Sequence, residues 1–378
     1  VSAHSRLSAS GSSTWINCPG SVAAQDGIAD KGSEFAQEGT NAHELAEWCL
    51  KTGLAAGDLV GEQLTEELGF IVTADMASFV QEYLDYVRSI PGDLMIEQRV
   101  DYSEWVAGGF GTSDAIIIND QTMTVVDLKF GQGIKVYAKE NTQGILYALG
   151  AYALTKGIYD IQTIRVVIHQ PRLDHVDEWD LSVKDLLSWG SFLQTKSEEA
   201  LAPDAPRVAG EKQCQWCKAK PTCPALAAHT TKIIASDFVN CDPTPVNKLS
   251  LDQMSDALAN KKLIISWLDA IENLAADRLR NGESFPGFKL VAGRSSRDWI
   301  DESEAEAHMH LNLEVPVTAL YTQKFITPAA AEKLLGKKKA GALQDYITKS
   351  EGKPAMVPES DKRQALGVTA DDFDGIDE

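Results

Sequence analysis

The stretch from Gly111 to Gly131 limits this chain more than any other: Gly-Thr-Ser-Asp114-Ala-Ile-Ile-Ile-Asn-Asp120-Gln-Thr-Met-Thr-Val-Val-Asp127-Leu-Lys129-Phe-Gly. Two apolar runs, Asp114 to Ile118 and Thr122 to Lys129, flank a short polar turn, which predicts a β-hairpin. Side chains alternate faces along a strand, so Asp127 and Lys129 share one face. A turn at Asp120-Gln121 pairs Asp114 directly with Asp127. A turn at Asn119-Asp120 slips the register by two and keeps the faces. Either way two carboxylates and an ammonium converge, with the carboxyl-bearing Cβ atoms roughly 5–8 Å apart. Like charges facing each other across strands destabilise a hairpin unless something compensates, and a divalent cation with oxygen ligands does so naturally. The competing reading is a surface hairpin with a solvated charged face, partly neutralised by Lys129. The runs Ile116-Ile117-Ile118 and Val125-Val126 favour a buried central pair, where charges do not sit without a purpose.

Other segments supply companions for this centre. Thr40 or Asn41 is expected to cap a helix reaching about Leu50, with His43 in its first turns and Cys49 in the core. A lone helical histidine more often makes a structural hydrogen bond. A helix is expected over 76–87 and a strand over 95–100, with Glu97 on one strand face. After the hairpin comes a basic loop with Lys135 and Lys139. Its two glycines lack the Gly-Lys-Ser/Thr ending of a phosphate loop, so no nucleotide cofactor is expected. The helix over 141–155 puts Gln143 and Tyr147, four apart, on one face. A strand over 163–169 follows, so strand, crossing helix and strand predict a parallel pair within a mixed sheet. A further helix is expected over 183–200, and breakers Pro203, Pro206 and Gly210 mark the loop after it.

The second strong signal is Cys214-x2-Cys217-x5-Cys223. Val1 to Gly20 is polar and serine-rich, without an apolar signal core, and no apolar run is long enough to span a bilayer. The expected location is therefore cytoplasmic, with no membrane partner. There, clustered cysteines read as metal ligands and not as disulfides. Three close thiolates usually need a fourth, and Cys18 and Cys241 are both candidates. A zinc ribbon would show a second pair, which is absent.

With 378 residues, one large domain plus an addition is expected. The net charge of −20 excludes a chain coated in basic surface, but not a local basic groove. The expected division is 1–231 and 232–378. The second part would carry a long helix over 251–281 and an acidic, disordered tail over 370–378. Arg294 and Arg297 read equally as a DNA-backbone contact or a solvated turn, and Lys337 to Lys339 as a solvated loop.

Taken in order, His43, Glu97, Asp114, Asp127-Leu-Lys129 and Gln143-x-x-x-Tyr147 resemble the PD-(D/E)XK nuclease superfamily in its RecB-like branch. Ser113-Asp114 replaces the superfamily's Pro-Asp. The cysteine order resembles the iron–sulfur members of that branch: the AddB subunit of recombination nucleases and the nucleases of CRISPR spacer acquisition. The resemblance covers roughly residues 5–226, and the C-terminal part is similar to the tail of phage-encoded nucleases of this type. It implies an α/β, restriction-endonuclease-like fold: a mixed central sheet flanked by helices, an iron–sulfur clamp and a mainly helical C-terminal addition. It implies a metal-dependent deoxyribonuclease, most simply an exonuclease acting on DNA ends in phage recombination, replication or repair within a bacterial host. Asp114, Asp127, His43 and the Leu128 carbonyl would hold Mg2+ or Mn2+. Lys129 would orient water, Glu97 would assist, and Gln143 and Tyr147 would position DNA. Cys18, Cys214, Cys217 and Cys223 would ligate a [4Fe–4S] cluster. DNA is the expected partner, with a single-strand annealing or other recombination protein beside it. The alternative is a non-cutting DNA-binding recombination or packaging accessory that keeps the fold.

Overall fold

The computed structural model describes residues 5–29, 32, 34–61, 69–235 and 251–288. Cys241, Arg294, Arg297, Lys337 to Lys339 and the acidic tail lie outside them. Five strands build one sheet in the order β1 (Asp93–Asp101), β2 (Phe110–Asn119), β3 (Thr122–Leu128), β4 (Thr163–Gln170) and β5 (His175–Ser182). All neighbours are antiparallel except β3 and β4, which run parallel. The helices are α1 (Ser12–Asn17), α2 (Ser21–Gln25), α3 (Glu34–Thr52), α4 (Ala74–Ser89), α5 (Thr142–Thr155), α6 (Val183–Leu201), α7 (Glu211–Cys214), α8 (Pro224–Ala235) and α9 (Leu251–Arg280).

The hairpin closes with Asn119 opposite Thr122, so Asp120 and Gln121 form the turn, and Asp120 takes the left-handed backbone (φ 50°) that this tight connection needs. Its two strands are buried on both faces. Ile116, Ile118, Met123 and Val125 join a core under α5 and α6. Ala115, Ile117, Val126 and Leu128 join a second core under α3 and α4. This explains why the hairpin reads as continuous apolar runs and not as an alternation. Truncating either Ile116 or Ile117, both essentially inaccessible, costs about 2–5 kcal/mol.

Helix α4 buries Met76, Val80, Tyr83, Leu84 and Val87 at helical spacing, and Thr73 caps it by accepting from the Met76 N–H at 3.2 Å. Asn141 caps α5 by accepting from the N–H groups of Gln143 and Gly144, both at 3.1 Å. Gly144 lets α5 lie close on the sheet, since a Cβ there would stand 2.4 Å from Val166 Cγ1. That approach brings the neighbouring Gln143 down to the end of β3.

Three sequence expectations change. Helix α3 begins at Glu34, so Thr40 and Asn41 are interior; the Thr40 hydroxyl bonds back to the Ala36 carbonyl at 3.1 Å instead of capping. Strand β5 is an element that the sequence reading misses. The compact units divide at Pro286/Gly287 and not at 231/232. Helix α9 belongs to the first unit because Leu263 and Trp267 pack onto Cys214, Cys223 and Leu226. No helix among the described residues is long and apolar enough to cross a membrane.

Candidate active site

The sequence-predicted charged residues meet where the middle of β1 and β2 and the C-terminal end of β3 lie near α3 and α5. Asp127 is 3% exposed. Its Oδ2 forms an ion pair with Lys129 Nζ at 2.8 Å, and its Oδ1 accepts from Gln143 Nε2 at 2.9 Å. Lys129 Nζ also donates to Gln143 Oε1 at 2.9 Å, so one amide holds both members of the pair. Gln143 Nε2 reaches the Tyr147 hydroxyl at 3.4 Å. Gln143 and Tyr147 are thus brought together as expected, but Gln143 braces the Asp127–Lys129 pair and Tyr147 is largely buried.

Asp114 stands beside this pair. Its Oδ2 accepts the Leu128 backbone N–H at 2.7 Å, and its Oδ1 lies 3.3 Å from His43 Nδ1 on α3. Leu128 therefore meets the site through its N–H. Glu97 lies opposite Asp114: Ile96 pairs with Ala115 and Gln98 with Ser113, but the pair between them is missing from the ladder. Glu97 has a φ of 45°, rare for a residue with a side chain. The interruption sends its carboxylate toward the other charges. His43, Glu97 and Asp114 are the one group of three such ligands, among the described residues, whose ligand atoms all lie within 4.8 Å of one another. Glu97 takes the place in this trio that the resemblance gives to Asp127.

Electrostatics tie the site together. Burial opposes a charge on His43, yet Asp114 outweighs it and lifts the imidazole to about 9. Burial and the Asp114 charge push Glu97 up to about 7. Asp114 is itself held low, because His43 and the Leu128 N–H outweigh its burial. Burial raises Asp127 more than Lys129 lowers it. Lys129 is raised despite burial, with Asp127 as the cause. Protons on His43 and Glu97 thus occupy the electrostatic place of a cation. Two carboxylates and an imidazole suit a divalent ion such as Mg2+ or Mn2+.

The second cluster lies elsewhere. Cys18, Cys214, Cys217 and Cys223 line one small pocket with Arg207, Lys220 and Leu226. Cys18 Sγ accepts the Val208 N–H at 3.2 Å and Cys214 Sγ the Gly210 N–H at 3.5 Å. Gly20 brings the N-terminal segment against the loop before α7, where its N–H donates to the Pro206 carbonyl at 2.9 Å. Burial raises the thiol pKa of Cys18, Cys214 and Cys217. No three of the four sulfurs lie within 4.8 Å of one another, whereas thiolates around one tetrahedral zinc sit about 3.8 Å apart, given Zn–S bonds of about 2.3 Å. Cys49 is fully buried on the inner face of α3 and takes no part.

The fold and site define a mixed α/β protein with a half-buried histidine–carboxylate–lysine centre and a separate four-cysteine pocket. The chain belongs to the family described as "Protein of unknown function (DUF2800)", which matches residues 4–364. A solved structure described as "Crystal structure of SSO0001" is similar at 16% identity, over 60% of this chain and 89% of that one, with a TM-score of 0.29.

Proposed function

We propose that this protein is a metal-dependent deoxyribonuclease. The observation that carries the reading is the His43–Glu97–Asp114 trio set beside the braced Asp127–Lys129 pair. His43, Glu97 and Asp114 would hold Mg2+ or Mn2+, with Asp127 completing the set once its Lys129 contact is shared. A bound divalent ion acidifies water and balances charge gathering on the phosphate. Lys129 would orient the attacking water and steady the scissile phosphate, and Asp127 keeps that lysine charged. Gln143 fixes both side chains in one geometry. The sequence resemblance to RecB-like nucleases points the same way and adds a preference for DNA ends and a recombination setting.

The four-cysteine pocket is proposed to hold a [4Fe–4S] cluster that clamps the N-terminal segment onto the loop before α8. Four thiols lining one pocket and two backbone N–H donors to sulfur support this. The test is digestion of end-labelled linear and circular DNA by anaerobically purified protein, with Mg2+ or Mn2+ and after chelation. Metal-dependent digestion lost in Lys129→Ala supports the nuclease reading. DNA binding without cutting in any metal identifies the accessory instead.

A further inference from the structure

The loop between β3 and α5, residues 131–140, follows directly on Lys129 and is fastened by its backbone. Gln170, 2% exposed at the end of β4, accepts the Val136 N–H at 2.7 Å and donates to the Ile134 carbonyl at 3.0 Å. On β5, Asp177 accepts the Ala138 N–H at 2.6 Å and His175 Nε2 donates to the Val136 carbonyl at 2.9 Å. Asn141, the cap of the helix that carries Gln143, donates to the Tyr137 carbonyl at 3.2 Å. Three side chains from two strands thus hold one short segment; Ala138 is buried in the core and Val136 half-buried against it, while the other side chains of the segment are exposed. Tyr137 is 59% exposed and Ile134 51%. The Tyr137 ring is propped edge-on against His175, with centroids 5.3 Å apart and planes at 79°. Lys135 and Lys139 flank it, both exposed, and neither has an ion-pair partner among the described residues. In a chain of net charge −20, two exposed lysines around an exposed ring, with Glu140 beside Lys139, form a local cationic and aromatic spot. Along the chain it lies between Lys129 and Asn141, which caps the helix carrying Gln143.

We infer that this loop is a base-stacking platform: Tyr137 stacks on an unpaired base of the substrate strand, and Lys135 and Lys139 contact its flanking phosphates. Stacking on a protein ring needs a base whose face is free, so the platform selects single-stranded over paired DNA. Fixing the ring in advance lowers the ordering cost of binding. The inference rests on the nuclease reading for its substrate.

The experiment measures binding of dye-labelled oligothymidine and of a closed hairpin duplex to the full chain carrying Lys129→Ala, which is expected not to cut. Adding Tyr137→Ala should weaken oligothymidine binding about tenfold or more, while Tyr137→Phe stays within about twofold. The double change Lys135→Ala/Lys139→Ala should make the slope of log affinity against log salt shallower by about 1.4. Quenching of a 2-aminopurine strand should persist in Tyr137→Phe and vanish in Tyr137→Ala. Parental affinity of Tyr137→Ala, or equal weakening toward strand and hairpin, overturns the platform alone. A parent that neither binds nor cuts DNA overturns the nuclease reading with it.

Discussion

On the sheet, the charges of Asp114, Asp127 and Glu97 are answered by the chain itself: Lys129 and His43 supply the counter-charge. The strands that place them are locked by two large apolar cores. At the cysteine pocket the nearby Lys220 is committed elsewhere, donating to the Gln215 carbonyl at 2.8 Å and Ser266 Oγ at 2.7 Å. Apolar support there comes mainly from Leu226, Leu263 and Trp267. The first site is therefore expected to keep its shape when no metal is present, and the second to depend on what fills it. A chemical centre tolerates loading and unloading, whereas a clamp is part of the fold.

The sharpest way to break this contrast is at the charged centre. Asp114→Ala and Lys129→Ala should each lower cleavage about a thousandfold or more. They should differ in metal response. Near a hundredfold excess over Kd, a bound ion stabilises by about 2.7 kcal/mol. Thermal melting with and without Mn2+ should show that rise in Lys129→Ala and lose it in Asp114→Ala. A Lys129→Ala protein that cuts at the parental rate ends the active-site assignment.

At the other region, Cys18→Ala should cost about 3–5 kcal/mol, the scale for releasing a long closed loop, and bleach any iron–sulfur absorption as fully as Cys217→Ala. Cys49→Ala serves as the contrast: it leaves colour intact and costs about 1 kcal/mol, as for a small deletion in a packed core. Unchanged colour and melting in Cys18→Ala would remove the clamp.

Acid separates the regions more gently. His169 is buried against Tyr83 and Tyr86, and burial lowers its pKa from 6.5 to about 4. The folded state thus binds fewer protons than the unfolded one between these values. Its share of stability is complete above pH 6.5 and is lost as pH falls toward 4, amounting to up to about 3 kcal/mol. His169→Phe should flatten denaturant-measured stability across that window; an unchanged slope assigns the acid sensitivity to other groups.

The smallest expected effect is Gln143→Ala. It should lower kcat about 10–100-fold, typical for loss of a side chain that orients others, while moving the melting temperature little. A loss confined to KM would return Gln143 to the substrate-contacting role that the sequence suggested.

The hairpin was legible because apolar runs on either side of a short polar turn are local properties, and Asp114, Asp127 and Lys129 came with it. The parallel pairing of β3 and β4 was legible from the helix between them. Strand β5 escaped because two of its four inward positions are His175 and Asp177, whose partners lie in the 131–140 loop. The weight of Glu97 in the metal trio could not be read, since it depends on a backbone turn inside a strand. Nor could the bracing by Gln143, because helix spacing says which face a residue shares but not what lies across from it. The start of α3 was misjudged because a threonine hydroxyl serves equally as a cap and as a bond to the preceding turn.

The cysteine pocket also sets a clock on synthesis. Cys223 emerges roughly two hundred residues after Cys18, a delay of about 10–40 s at 5–20 residues per second. The hairpin and its three charged residues leave the ribosome well inside that interval. The chain therefore holds a complete set of hairpin charges while one wall of the thiol pocket is still waiting for the other.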